Sequence, residues 1–319
     1  MTDGMSLRQL HHFVACAEAG TMTGAARRLY ISQGAVSVAI SQLERQLGVQ
    51  LLLRSKAKGL TLTEAGRLLL PQARALLAHA EELRTGMRDI GQAPAGRLVI
   101  GCFTTLAPFL LPRLLEEFQA AHPRVTLDFV EGSLTDLQQL LLEGGCELAV
   151  LYGVDIQTGI DFDTLYATQP HVLLPPAHPL TAHDRVRLTD LAEHEMIMLD
   201  VPPSLRYFSD VLSSAGVTPS IRHRTESFEM VRSLVARGVG YSLLIQRPTP
   251  DLSYEGRTLA VRRIEDEVQP LSVVLARPAG VQLTRRAAAF ATFCRVMSAE
   301  YTDPAWVPAP AGGPADLAK

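Results

Sequence analysis

The sequence predicts a mixed α+β chain in three parts: a head of short helices ending in a small basic hairpin, one long helix, and a two-lobed α/β body. Three observations carry this. Apolar residues recur at helical spacing in three short runs between Leu7 and Leu47. From Leu69 to Ile90 they step by four and three, the period of a coiled-coil seam. Beyond that, strand-like and helix-like runs alternate for about 200 residues, which is large for one open sheet.

Composition bounds the function. The 319 residues suffice for two or three domains, and 47% hydrophobic with 20% charged residues excludes a disordered or collagen-like chain. No apolar run approaches the ~20 residues of a membrane span. The start MTDGMSLRQLHHF has no secretory hydrophobic segment, so a soluble cytoplasmic protein is expected. Cys16, Cys102, Cys146 and Cys294 form no C-x-x-C pair, which argues against a zinc site or a disulfide framework and for small buried hydrophobes. Cys102, near the expected cleft, is a weak redox-sensor candidate without a nearby resolving cysteine. Residues 1–93 hold 11 Lys or Arg and 7 Asp or Glu, net +4, while the remainder is net −7. Only the head has the sign that suits a polyanion.

In the head, Leu7, Leu10, Phe13, Val14 and Ala17 make a first helix that stops at Gly20. A second runs from about Thr23 to Leu29, capped by Thr21 or Thr23, with Ala25 and Ala26 small enough for a close helix crossing. After the turn Tyr30-Ile31, Ser32 caps a third helix with Val36, Ile40, Leu43 and Leu47 on one face, ended by Gly48. Residues 49–61 read as two short strands joined by a basic turn carrying Arg54, Lys56 and Lys58.

Thr61 or Thr63 then opens a helix of about 27 residues, about 40 Å long. Its stripe Leu69, Ala73, Leu76, Ala80, Leu83, Met87 and Ile90 is expected to meet a second copy of the chain, and Pro71 to bend its first turns. The breaker-rich stretch 91–96 is a hinge. The body alternates strands at 97–101, 125–130 and 147–152 with helices at 106–121 and 134–143, which implies a parallel sheet. The pattern continues through strands at 171–174, 196–199, 220–224, 240–245 and 271–276 and helices at 205–214, 228–237 and 284–298. Two crossings, near Tyr166 and Glu267, divide it into lobes of about 97–166 with 267–298, and 167–266. The tail 299–319, rich in Pro, Ala and Gly, is expected to be disordered.

Two short helices, a tight turn and a capped second helix match a helix-turn-helix, whose second helix lies in the major groove. Its exposed face carries Gln33, Gly34, Ser37, Val38 and Ser41. Gln can pair bidentately with adenine, Ser can donate or accept at base edges, and Val can touch a thymine methyl. Thr23 and Ser32 suit phosphates through hydroxyls and helix-end amides. Arg27, Arg28, Arg54, Lys56 and Lys58 suit phosphate or minor-groove contact.

The runs Gly20-Thr21-Met22-Thr23-Gly24-Ala25-Ala26-Arg27-Arg28-Leu29, Ile31-Ser32-Gln33, Val36-Ser37, Leu47-Gly48-Val49 and Leu62-Thr63-Glu64-Ala65-Gly66 resemble the winged helix-turn-helix signature of LysR-type transcriptional regulators. Ala107-Pro108, Leu111-Pro112, His178-Pro179-Leu180 and Leu234-Val235-Ala236-Arg237-Gly238-Val239-Gly240 extend the resemblance over about residues 5–298. Gly34 and Val38 depart from it, standing where that family commonly has proline and often arginine, and Leu52 stands in place of phenylalanine. The resemblance implies a DNA-binding domain over 1–62 and a dimerisation helix over 63–90. It implies a periplasmic-binding-protein-like (type 2) effector domain over 97–298. It also implies dimers of dimers, a double-stranded operator, a small-molecule effector with no cofactor, and RNA polymerase as a partner.

Effectors of open α/β sheets sit beyond the carboxyl ends of strands, near helix N-termini. Thr104, Thr105, Ser133 and Tyr152 occupy such places in one lobe, and Pro203, Ser204, Thr225 and Ser227 in the other. Of these, Thr104, Thr105 and Ser204 match positions where that family commonly contacts an effector, often an organic anion. Serines and threonines before helices also serve simply as caps, and that alternative stays open at each position. Phe103, Phe109, Tyr207, Phe208 and Phe228 are candidates for an apolar lining. An enzyme is disfavoured because no G-x-S-x-G, P-loop, G-x-G-x-x-G or H-E-x-x-H motif accompanies the histidines. A solute-binding transport component would share the body but not the head.

Overall fold

The computed structural model describes residues 4–55, 59–86 and 93–299. The head comprises α1 (Leu7–Ala19), α2 (Met22–Leu29) and α3 (Gln33–Leu47), followed by β1 (Leu52–Ser55) and β2 (Gly59–Leu62). Local chemistry sets each boundary. Ser6 and Gln9 form a reciprocal capping box on α1, and Gly20 ends it in the left-handed region at φ 61°. Thr21, not Thr23, caps α2 through Gly24 N–H, and Ser32 caps α3 through Ala35 N–H. Leu10, Phe13, Val36, Ile40 and Leu43 close a core of their own.

The two short strands pair antiparallel, with Arg54 opposite Leu60 and Ser55 opposite Gly59. Leu60 N–H donates to the Gly20 carbonyl (2.8 Å), which ties the hairpin to the α1–α2 turn. The linker helix α4 (Glu64–Gly86) starts against this hairpin so closely that a Cβ on Gly66 would lie 2.2 Å from the Leu51 carbonyl oxygen. Gly66→Ala is therefore expected to destabilise the head by about 1–3 kcal/mol, read as a lowered midpoint in denaturant melts. An unchanged midpoint would show that the backbone there can relax.

Ala73 departs from the expected dimer stripe. It is 2% exposed and belongs, with Leu70, to the head's own core, where Leu69 and Leu77 also pack. Residues 70, 73 and 77 therefore face inward, while Leu68 (66% exposed) and Leu76 (44%) remain open for a partner. Ala80 is half-buried. The side chain of Leu83, and Met87 and Ile90 altogether, lie outside the described residues.

In the body, lobe 1 contains β3 (Gly96–Phe103), α5 (Ala107–Ala121), β4 (Val125–Gly132), α6 (Leu134–Leu142), β5 (Leu148–Tyr152) and β6 (Ile160–Thr168). Lobe 2 contains β7 (His171–Leu174), β8 (Arg185–Val186), β9 (Glu195–Leu199), α7 (Ser204–Ser214), β10 (Ser220–Thr225), α8 (Phe228–Ala236), β11 (Ser242–Leu244) and β12 (Ala260–Ile264). The chain then returns to lobe 1 as β13 (Leu271–Pro278) and α9 (Arg285–Ala299). Lobe 1 is a five-stranded sheet in the order β4-β3-β5-β13-β6.

The sheet is mixed rather than wholly parallel. The strands β3, β4 and β5 run parallel, but β13 is antiparallel to both β5 and β6. In lobe 2, β11, β7 and β12 pair antiparallel while β9 pairs with β10 in parallel. A chain that leaves lobe 1 at the end of β6 re-enters it at that same end, with Leu271 opposite Thr168, so β13 must run back antiparallel. The crossings fall at residues 169–170 and 265–270, so lobe 1 extends slightly beyond Tyr166 to Thr168.

Candidate nucleic-acid interface and effector cleft

On α3 the apolar set Val36, Ile40 and Leu43 is buried, while Gln33, Gly34 and Val38 are exposed and Ser37 and Ser41 half-buried. Three of the five candidate base readers thus stand free on one capped helix, and the other two flank them. A Cβ on Gly34 would meet nothing closer than the Ser32 hydroxyl at 4.0 Å, so neither packing nor backbone requires a glycine there. Thr23, Arg27, Arg28 and Ser32 are exposed on α2 and the following turn, with the Ser32 hydroxyl already engaged as a cap. The side chain of Arg54, and Lys56 and Lys58, lie outside the described residues.

The cleft candidates separate by whether their own helix uses them. The Ser133 hydroxyl accepts from Asp136 N–H (3.2 Å) and donates to the Asp136 carboxylate (2.7 Å). Ser227 accepts from Met230 N–H, and the Thr225 hydroxyl accepts from Ser227 N–H, each at 3.2 Å. These three act as caps and turn fasteners. By contrast α5 and α7 carry no side-chain cap. Thr104 is exposed beside the start of α5, and Thr105 (8% exposed), Pro203 and Ser204 (4%) are buried there and at the start of α7.

Gln246 was not among the sequence candidates, yet it joins the lobes. It is 1% exposed, and its Nε2 donates to the Tyr152 hydroxyl at 3.2 Å. Its Oε1 is buried without a partner among the described residues. Thr105 also hydrogen-bonds the Tyr152 hydroxyl, whose ionisation burial pushes up to about 12. The sequence signal for Gln246 was the one used for Thr104, a polar side chain just past the end of a strand. Two aromatic pairs frame this trio: Phe103 meets Tyr152 edge-on at 5.4 Å, and Phe109 of α5 meets Phe228 of α8 edge-on at 5.6 Å across the lobes. Tyr207 instead donates to the Gln269 carbonyl (2.7 Å) at the second crossing, and Phe208 is core.

All four cysteines are buried. Burial raises the Cys102 thiol far above its usual range, with Glu131 and Cys294 adding to it, and pushes Cys146 and Cys294 up to about 12. A thiolate is the reactive species, so Cys102 has the environment of an inert thiol rather than a sensor. In native protein, thiol reagents are expected to label none of the four within minutes and all four after denaturation. Prompt labelling of Cys102 would contradict this. No group of three or more His, Cys, Asp or Glu among the described residues is arranged to hold a metal ion, and none of the described helices is long and apolar enough to cross a membrane.

A winged helix-turn-helix with a free recognition face, joined by a long helix to a two-lobed body, defines a DNA-binding regulator that carries a ligand-binding module. Residues 7–67 match the family model for the bacterial regulatory helix-turn-helix protein, lysR family, and residues 91–298 match the LysR substrate binding domain. The chain belongs to the LysR family of transcriptional regulators. A probable RuBisCO transcriptional regulator of Porphyra purpurea is 33% identical over 248 residues, 75% of this chain and 78% of that protein. Among solved structures, the LysR family regulator HinK of Pseudomonas aeruginosa is 36% identical with a TM-score of 0.63, covering 92% of this chain and 99% of that one. A full-length OxyR variant of Pseudomonas aeruginosa is 26% identical with a TM-score of 0.71, covering 92% and 95%.

Proposed function

We propose that α3 reads an operator through Gln33, Gly34, Ser37, Val38 and Ser41, while Thr23, Arg27, Arg28, Ser32 and the basic hairpin turn hold its phosphates. The observation that carries this is the open face of α3: Gln33, Gly34 and Val38 are exposed opposite the buried set Val36, Ile40 and Leu43, and Arg27 and Arg28 are exposed on α2. Dimers form along α4 on the side of Leu68 and Leu76 and pair into tetramers in the cytoplasm, where effector occupancy alters promoter access for RNA polymerase. Thr104, Thr105, Tyr152, Ser204 and Gln246 receive the effector. Buried hydroxyls, an unpartnered amide oxygen and two helix starts without side-chain caps support this assignment. Ligand binding biases the equilibrium between two arrangements of the lobes.

Selection from a random duplex pool tests the reading. Enrichment of sites with two related halves is expected, and no enrichment over the starting pool would overturn it. Thr105→Ala with Ser204→Ala is expected to leave operator binding intact and to abolish the response to whichever metabolite from a screened panel shifts wild-type binding. A normal response would remove these residues from the effector site.

A further inference from the structure

One carboxylate connects the DNA-facing head to the body. Glu18 of α1 is held by two arginines at once: its Oε2 lies 2.7 Å from Arg28 Nη1, and its Oε1 lies 2.8 Å from Arg74 Nη2. Arg28 stands on α2 with its side chain 63% exposed, whereas that of Arg74, on the linker helix, is 19% exposed. The other nitrogen of Arg74, Nη1, donates to the carbonyl of Glu143, the residue that caps the C-terminal end of α6 in lobe 1. Gly144 follows in the left-handed region at φ 67°, and a Cβ there would lie 2.7 Å from Arg74 Cδ. At its opposite end α6 starts from Ser133, next to Gly132, whose carbonyl accepts from Thr104 N–H (3.2 Å) in the cleft. A helix of nine residues therefore runs from the effector cleft to the arginine that holds Glu18.

We infer that Glu18 and Arg74 are positioning residues for DNA binding: Glu18 holds Arg28 off the phosphate backbone, and Arg74, seated on the end of α6, sets how firmly it does so. The physical basis is competition for one carboxylate. A guanidinium paired with Glu18 contributes no net charge to phosphate neutralisation, so Arg28 counts as a phosphate contact only as far as Glu18 is occupied elsewhere. With Arg74 in place, the carboxylate is shared. With Arg74 withdrawn, the full negative charge falls to Arg28 alone. Movement of α6 in lobe 1 thereby changes the effective charge of the DNA-binding face without touching α3.

The test needs no known operator or effector, because a phosphate contact is independent of sequence. Binding of the full chain to a random-sequence duplex several helical turns long is measured across a salt series. Glu18→Gln is expected to tighten binding several-fold at low salt and to steepen the slope of log K against log salt by up to about 0.9, the value for one neutralised phosphate. Arg74→Met is expected to weaken binding and make the slope shallower. So is Gly144→Ala, a change wholly within the body. Adding Glu18→Gln to either should restore the Glu18→Gln behaviour, a rescue that a merely structural role of Arg74 would not produce.

Arg28→Ala separates this inference from the assignment of the DNA face on which it rests. If Arg28→Ala leaves affinity and slope unchanged, Arg28 does not meet phosphate and both fail. If it weakens binding while Glu18→Gln changes nothing, the inference alone is overturned. If Arg74→Met acts as expected but Gly144→Ala has no effect, the link to the body is overturned. Should Arg74→Met fail to fold, judged by its melting curve, Glu18→Gln and Gly144→Ala still decide the matter.

Discussion

Removing the three charges of the hairpin turn, with Arg54, Lys56 and Lys58 all replaced by alanine, is expected to weaken DNA binding about equally on every sequence. The slope of log K against log salt should flatten by up to about 2.7, roughly 0.9 for each phosphate left without its cation. The hairpin's position argues for this result. Its strands pair Arg54 with Leu60 and Ser55 with Gly59. The Gly20 carbonyl accepts from Leu60 N–H beside Thr21, the cap of α2, which anchors the hairpin on the head at the α1–α2 turn. Substitutions at Gln33 or Ser37 should behave differently, reordering the preferred sequences while leaving the salt slope nearly constant, because they address base edges rather than phosphates. A triple variant with unchanged slope would show that the hairpin does not approach DNA.

Acid should destabilise the body through His171, and His171→Leu should blunt the effect. His171 pairs with Leu244 of β11 and Arg263 of β12 and is 2% exposed. Neither ring nitrogen has a partner among the described residues. Burial lowers its pKa to about 3, helped by the nearby charges of Arg247 and Arg232. In the unfolded chain the same imidazole takes up a proton below about pH 6.5. The unfolded state therefore binds more protons between about pH 6.5 and pH 3, and stability falls as pH drops through that window. The cost is about 1.4 kcal/mol per pH unit for this one group, or roughly 2 kcal/mol by pH 5. Burial also lowers His12 and His178, which act in the same direction. His171→Leu removes two orphaned nitrogens at similar volume, so stability at neutral pH should rise by about 1 kcal/mol. Denaturant melts across pH should show the shallower acid slope, and identical slopes for both proteins would contradict the assignment.

Much of the head was legible because its determinants are local. Caps act between residues three apart, so Ser32 could be recognised from its place before an apolar run and caps as expected, whereas Ser133 and Ser227 of the body, read as effector candidates with capping as the alternative, are engaged as caps. Gly20 and Gly48 end their helices in the left-handed region, where glycine is least strained. Thr21 rather than Thr23 took the capping role, a choice between neighbours that composition does not decide. Two strands left weaker traces. Along β6 exposed residues outnumber buried ones, and β12 places two arginines in its short run, so neither shows a clean apolar alternation. The direction of β13 depends on where the chain re-enters lobe 1, about a hundred residues after β6 leaves it.

The amino-acid order by itself determined the three-part division and the capped third helix with Gln33, Gly34 and Val38 on its exposed face, because these follow from periodicity and from contacts within a turn or two. Only the tertiary structure decided which faces meet: Ala73 turned into the head while Leu76 stayed open, Gln246 reached Tyr152 from the other lobe, and Arg74 joined Glu18 to the end of α6. Helical period orients a side chain only about its own axis. What lies opposite is supplied by segments 56, 69 or 94 residues distant, and no local pattern encodes it.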